Sequence, residues 1–367
     1  MASVIGKNIN ISLFGESHGP LIGVTINGLK SGIKLDIDYI NKELQKRRSI
    51  SSISTPRVEK DEIEIVSGYF NGYTTGTPLT ILVKNENTKS KDYQPNLLRP
   101  SHADYSAYLK YDGYQDYRGG GHFSGRLTTG IVIAGAICKK ILEDKGILIG
   151  SHLKQVYDIK DVDFSSNDEL LKQEIIKMNN TDMAVLTDSV KEDIIKCIDQ
   201  AKSNQDSVGG IIETAIINLE GGIGEPFFDS IESVLSHLIF SIPAVKGIEF
   251  GKGFEFAELT GSIANDPLEY NNKEYNNKIV SKTNNNGGIN GGISNGMPIL
   301  IKTVIKPTPS ISQKQNTVDY NKNENTVLEI KGRHDPCIVH RARVVVDSMV
   351  AIGILDLCVQ RYGYQWM

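Results

Sequence analysis

The stretch that most narrows what this chain can become runs from Leu127 to Leu142, where apolar residues continue almost without a polar face. Its most apolar part is Gly130 to Cys138. A bilayer span needs roughly 20 apolar residues and this run is about half that, so it reads as a helix buried inside a globular protein. At 367 residues the chain can bury a large core around it. Hydrophobic residues at 39% and charged residues at 23% fit a soluble fold. No linker divides the chain, so one domain over residues 1–367 is expected.

The formal net charge of -4 lacks the basic excess of a general nucleic-acid binder. No nucleic acid, no membrane and no metal cluster is expected as a partner. Cys138, Cys197, Cys337 and Cys358 lie far apart with no C-x-x-C pair, which suits a reducing compartment better than a disulfide framework. The start, MASVIGKNINISLFG, shows no apolar stretch behind a basic flank, so no signal peptide is visible and a cytoplasmic location is expected.

Met1 to Thr25 reads as strand, glycine-rich turn, strand. Asp36 and Asp38 then open a helix with Ile37, Ile40 and Leu44 on one face, ending in Lys46-Arg47-Arg48. Glu62 to Tyr69, Pro78 to Val83 and Gly210 to Leu219 read as strands. Tyr157 to Met183 looks like a surface excursion. Helices are expected from Val190 to Ala201, with Thr187 to Ser189 as cap candidates, from Asp229 to Phe240, and from about Asp335-Pro336 towards Val359. Flexible surface loops are expected near 265–286 and 312–325, both rich in Asn and Lys. A weak echo between Val24–Leu44 and Ala215–Leu235 hints at an internal duplication.

Five clusters could carry chemistry. In Gly15-Glu16-Ser17-His18-Gly19, glycines let the backbone turn tightly around a histidine that can act as an acid or base near neutral pH. It can equally be a satisfied loop histidine. In Arg99-Pro100-Ser101-His102-Ala103-Asp104, His102 can be a proton donor with a carboxylate nearby, or Ser101 can cap a helix whose dipole Asp104 complements. Asp116 to Thr128 holds a triple glycine before polar residues and a helix, either an anion site or a flexible hinge. It is neither a Walker loop nor a dinucleotide fingerprint. Asn284 to Gly296, followed by Lys306-Pro307-Thr308-Pro309-Ser310, offers ligand-hugging glycines with Asn and Ser donors. In Gly332-Arg333-His334-Asp335-Pro336-Cys337, Asp335 can be an N-cap before Pro336, with Arg333 placed to hold an anion. Arginines gather in the same places, which suits a small ligand with several negative charges. Residue types alone stop at an enzyme for a small polyanion.

In this order and spacing the clusters resemble the chorismate synthase family, from about Gly6 to at least Met349. The matching segments are GESHG at 15–19, RP-S-HAD at 99–104, DYRGGG at 116–121 and the serine-glycine-arginine at 124–126. AVKGIEFGKGF at 244–254, NGGI…GGIS at 286–294, KPTPSI at 306–311 and GRHDPC at 332–337 complete the set. The resemblance implies an α/β fold in a single domain, a β-α-β sandwich with helices packed between antiparallel sheets, assembled as a homotetramer. It implies anti-1,4-elimination of phosphate from 5-enolpyruvylshikimate 3-phosphate to give chorismate, the last step of the shikimate pathway to aromatic amino acids. Reduced FMN is required with no net redox change, and a separate flavin reductase or reducing system supplies it. A bifunctional form that reduces FMN with NAD(P)H is the alternative, disfavoured by the missing dinucleotide fingerprint. A non-catalytic binder on the same fold is a second, disfavoured by the presence of His18, His102 and Asp335 together.

The same resemblance assigns roles. His18 and His102 match the family's two histidines, one protonating near the departing phosphate and the other the reduced flavin. Asp335 matches the acid beside flavin N5, with Ser17 and Ser124 as proton-relay partners. Arg48, Arg126 and Arg333, with Arg47 and Arg57 nearby, are implied as substrate clamps. Flavin contacts are implied at His122, Phe123, Ser124, Ala244, Gly291, Lys306, Pro307, Thr308, Pro309, Ser310 and Arg333. The chain departs from the common pattern where His122-Phe123-Ser124-Gly125-Arg126 replaces arginine-serine-serine-alanine-arginine, where Ile53 replaces an arginine, and where Asp347 replaces a glutamate.

Overall fold

A computed structural model describes residues 3–48, 60–86, 93–271, 278–330 and 335–367. From the N-terminus, β1 (Val4–Ile5), β2 (Asn10–Gly15) and β3 (Leu21–Asn27) run antiparallel. Helix α1 (Ile37–Gln45) follows, its cap Asp36 accepting from the Tyr39 N–H, with Ile40 and Leu44 buried. Then come β4 (Ile63–Ser67), the short hairpin strands β5 (Tyr69–Phe70) and β6 (Tyr73–Thr74), and β7 (Leu79–Lys84). The first sheet has the order β1-β2-β3-β7-β4. Alternation puts Ile22, Val24 and Ile26 of β3 beside Leu79, Ile81 and Val83 of β7 on its inner face, all buried.

After α2 (Asp104–Lys110), the apolar run forms α3 (Thr128–Asp144). The second sheet contains β8 (Leu148–Val156), β9 (Ile159–Lys160), β10 (Gly210–Ile217), β11 (Val245–Phe250) and β16 (Ile299–Ile305). Its order is β11-β16-β10-β8-β9, antiparallel throughout. Between these strands lie α4 (Asp168–Asn179), α5 (Asp188–Ser203), α6 (Ile231–Phe240), α7 (Gly261–Ala264) and the hairpins β12 (Leu268–Asn271)–β13 (Lys278–Ser281) and β14 (Ile289–Asn290)–β15 (Ile293–Ser294). Hairpin β17 (Gln315–Asp319)–β18 (Glu324–Leu328) and the long helix α8 (Val339–Tyr362) finish the chain. Helix α3 packs on β2 and β3 and against α8, and α8 packs on β8 and β10. The helices thus fill the space between two antiparallel sheets, as the family resemblance implied. The α3–α8 approach is close enough that a Cβ on Gly135 would lie 2.1 Å from the Ser348 Cβ. Among the described residues no helix is long and apolar enough to cross a membrane.

The duplication hinted at by the sequence is present atom for atom in one motif. The Thr74 hydroxyl donates to Lys30 O (2.6 Å) and accepts from Ile33 N–H (3.0 Å). The Ser294 hydroxyl donates to Glu220 O (2.6 Å) and accepts from Ile223 N–H (2.9 Å). Backbone bonds repeat too: Gly32 N to Thr74 O (2.8 Å) matches Gly222 N to Ser294 O (2.8 Å), and Thr75 N to Gly68 O (3.0 Å) matches Asn295 N to Gly288 O (3.0 Å). The central strands β2-β3-β7-β4 correspond to β8-β10-β16-β11, α1 to α6 and α3 to α8.

Four expectations are corrected. The 157–183 excursion contains α4, whose Leu171, Ile175 and Met178 recur at helical spacing and form a second apolar cluster with Ala215 and Ile217 of β10. The loops near 265–286 and 312–325 contain strand pairs, whose polar side chains hid the pairing. Helix α8 begins at Val339, so Asp335 lies ahead of it and is not its cap. Neither Ser101 nor Thr187 makes a side-chain cap bond: α2 begins behind Ala103, and Thr187 holds the cap position of α5 through its backbone alone.

Candidate active site

Strand β2 ends at Gly15, whose φ of 95° turns the chain into a bend closed by Gly19 N–H on Glu16 O (3.0 Å). Ser17 and His18 occupy the middle of that bend, and both are buried. The triple glycine presses on them. A Cβ on Gly119 would lie 2.5 Å from His18 Cδ2 and 2.8 Å from Ser17 Oγ, and Gly119, Gly120 and Gly121 have φ of 61°, 83° and 54°. Only glycine fits such an approach at such angles, so close packing is what this segment supplies. Ser17 N–H donates to Gly121 O (3.1 Å), fastening bend to glycines.

Asn85, just past β7, grips the same bend. Its side-chain amide N–H groups donate to Glu16 O (3.0 Å) and Gly19 O (2.9 Å), and its carbonyl accepts from Arg126 Nε (2.9 Å). Arg126 also donates to Lys84 O (3.1 Å) and pairs with Asp61. Arg47 shares Asp61 at 3.5 Å and donates to Thr128 Oγ1 (3.1 Å), Thr129 Oγ1 (2.7 Å) and Gly125 O (3.2 Å). One carboxylate therefore faces two buried guanidinium groups. Arg47 is committed to bracing the start of α3, whereas Arg48 is exposed and donates to Lys60 O (2.8 Å). Arg57, Arg333 and the departure at Ile53 lie outside the described residues.

His122 uses both ring nitrogens inside the chain: Nδ1–H donates to Gly15 O (2.8 Å), and Nε2 meets Ser3 Oγ. The histidine that replaces an arginine is therefore a strut between β2 and the triple glycine. Phe123 is partly exposed with its ring 6.2 Å from Tyr111, and Ser124 accepts from Arg126 N–H (3.3 Å).

From the other half, Ser310 Oγ meets His102 Nε2 at 2.8 Å, and Lys306 Nζ donates to Ser101 O (2.8 Å). Lys306 N–H donates to Ala244 O (2.9 Å), and Ala244 itself has φ of 75°. Burial, and then nearby Lys246, hold the Lys306 ammonium below the usual lysine pKa. Ser207 Oγ donates to Thr308 O (2.7 Å), and Gln315 reaches Pro309 O (3.4 Å). Thr308 Oγ1 is buried with no hydrogen-bond partner. The two halves meet through the His102–Ser310 and Lys306–Ser101 bonds; beside them His18 lies edge-on to the Tyr93 ring at 5.4 Å, and Arg99 lies over that ring at 5.4 Å. Arg99 holds Asp104 through bonds of 2.8 and 2.7 Å. Burial opposes ionisation of Asp104, but the Arg99 bonds prevail and keep its pKa low. Asp335 pairs with Arg341, whose Nε donates to Arg47 O (2.8 Å).

Gly291 is not brought to this cluster. It sits in the hairpin at the Ile299 end of β16, and Lys306 follows the other end, about 20 Å away along the strand. Asp61, Asn85, Tyr93 and Arg341 were missed by sequence reasoning. Each is a single polar or aromatic residue outside the glycine-rich motifs, and only the fold gathers them.

The sequence profile described as chorismate synthase matches residues 9–359. The chain belongs to the chorismate synthase family. A chorismate synthase of Thermococcus kodakarensis is 43% identical over 364 residues, covering 99% of each chain. One of Methanobrevibacter smithii is 45% identical over 369 residues, covering 99% of this chain and 98% of the relative. A solved chain described as "Crystal Structure of Chorismate Synthase" superposes with a TM-score of 0.77 at 27% identity, covering 98% of this chain and 94% of that one. Membership of this family places the chain among the lyases.

Proposed function

We propose that the chain converts 5-enolpyruvylshikimate 3-phosphate into chorismate and inorganic phosphate by anti-1,4-elimination, with reduced FMN present and no net redox change. The observation that most supports this reading is the meeting of the Ser17–His18 bend, Arg126 and the His102–Ser310 pair around Tyr93 and Arg99. Arg126 and Arg47 bring two buried guanidinium groups to the departing phosphate, in a setting where preorganised donors are most effective. His18 stands beside them as the acid for the departing phosphate, a role of about 10²–10⁴-fold. Arg48, with Arg57 and Arg333, holds the substrate carboxylates.

The residues present fit a flavin mononucleotide. The unpartnered Thr308 hydroxyl, the Lys306 ammonium and the left-handed backbone at Ala244 and Gly120 offer donors and close approach to a flat, phosphate-bearing group. Pro307 and Pro309 stiffen that bed. These residues would hold the reduced flavin, which would supply transient electron donation for cleavage of the allylic C–O bond. His102, oriented by Ser310, holds a proton next to the flavin bed, and Asp335 is fixed by Arg341 as the acid-base group beside it. The enzyme so read is a single-domain, cytoplasmic homotetramer whose FMN is reduced by a separate system.

Anaerobic incubation with photoreduced FMN and no NADPH tests this. Phosphate release matched one-for-one by chorismate absorbance is expected. Binding of both ligands without release contradicts the reaction, and activity only when NADPH is added to oxidised FMN favours the bifunctional form.

A further inference from the structure

Asn85 makes three side-chain bonds, and they tie the His18 bend directly to the Arg126 guanidinium. Two go to the carbonyls of Glu16 and Gly19, the two ends of the bend that presents Ser17 and His18. The third accepts from Arg126 Nε. Its own N–H donates to Pro20 O (3.1 Å), so the residue is fixed where β7 ends. Gly119 packs against the same bend, close to the His18 ring and the Ser17 hydroxyl. Asp61 pins the far end of Arg126 and shares its charge with Arg47.

From this geometry we infer that Asn85 is a positioning residue that sets the His18 bend and the Arg126 guanidinium in one fixed relation. The inference rests on the proposed roles of His18 and Arg126. An amide is the group the place requires: two donors for two carbonyls and one acceptor for one guanidinium. Asn85→Asp separates the two functions. A carboxylate still accepts from Arg126, but it has no donor for Glu16 O and Gly19 O and sets negative charge against them.

In Asn85→Asp the substrate KM is expected to stay within about threefold, because Arg126 keeps its partner, while kcat falls roughly 10²-fold through misplacement of the acid. Asn85→Ala, which loses both partners, is expected to raise KM and lower kcat together. Hydrogen exchange of the Gly15–Pro20 segment is expected to quicken about tenfold in Asn85→Asp, without spreading to α3. This second readout needs no turnover and serves if kcat is too low to measure. Wild-type kcat in Asn85→Asp, or unchanged exchange in the bend, overturns the assignment. A uniform loss matched by lower thermal stability overturns it too, since a merely structural residue behaves that way. Wild-type protein that releases no phosphate under the same anaerobic conditions counts against the proposed reaction instead, and leaves the exchange result to decide Asn85.

Discussion

Thr74 and Ser294 perform one task in two halves of the chain. Each hydroxyl bridges a carbonyl and an N–H in the turn after β3 or β10, and each is followed by a strand of similar length, β7 or β16. The halves diverge where strands and helices end. After β2 the chain makes the tight Glu16–Gly19 bend, whereas after β8 it leaves on an excursion through α4 and α5 before β10. After α1 come Lys46, Arg47 and Arg48, and after α6 come Ser241 to Ala244 with no charge at all. Beyond β7 stands Asn85 on Arg126, and beyond β16 stand Lys306 to Ser310 on Ser101 and His102. A duplicated frame can therefore assign charge handling to one half and a hydroxyl-and-backbone bed to the other without altering its core.

The largest effect is expected in the first half, at the bend after β2. His18→Ala should lower kcat by roughly 10²–10⁴-fold with FMN affinity retained; a wild-type rate would remove the charge-handling role from the first half. The second half carries its own buried charge device, away from the site. His152 is fully buried between Glu213 at 2.8 Å and Asp161 at 3.7 Å. Asp161 also accepts from Leu186 and Thr187, closing the α4 excursion onto β8. His152→Ala leaves two carboxylates without their cation and should cost about 3–5 kcal/mol in chemical denaturation. A loss near zero would mean the excursion is held by the α4 apolar cluster alone.

The pH dependence of that device follows from its titration. Burial works against the charged imidazole, but the two carboxylates outweigh it and raise the His152 pKa above the ordinary value. Its contribution is then present in full below the unfolded pKa of about 6.5 and is lost as pH rises through the raised folded value. Wild-type stability should accordingly decline over that upper range more than that of His152→Gln; parallel curves would contradict the assignment. The smallest effects sharpen the symmetry. Thr74→Val and Ser294→Ala each orphan one buried donor and one acceptor, and each should cost about 1–3 kcal/mol with kcat unchanged. Unequal losses would show that the two clasps are not equivalent.

Much of the frame was legible in the sequence. The α3 run was nearly all apolar, the strands alternated, and the glycine-flanked histidines announced tight bends. The repeat was visible between Val24–Leu44 and Ala215–Leu235. Its stronger trace is Gly68, Gly72, Gly76 and Pro78, which recur as Gly288, Gly292, Gly296 and Pro298 at identical spacing. Helix α4 was hidden because its buried stripe of Leu171, Ile175 and Met178 is blurred by charged residues and by the exposed Leu170 and Ile176. Asn85 and Asp61 were illegible in principle, since a lone polar residue beside a strand acquires meaning only when the fold delivers Arg126 and the His18 bend to it. The same holds for His122, whose type suggested chemistry and whose two partners give it a structural task.

The division between the halves is tested most directly by dissociation constants for FMN and for substrate, measured on Lys306→Ala and Arg48→Ala in parallel. Lys306→Ala is expected to weaken FMN by about tenfold or more, ~1.4 kcal/mol, and to leave substrate binding alone, with Arg48→Ala showing the reverse. Equal losses of both ligands in both variants would contradict the account.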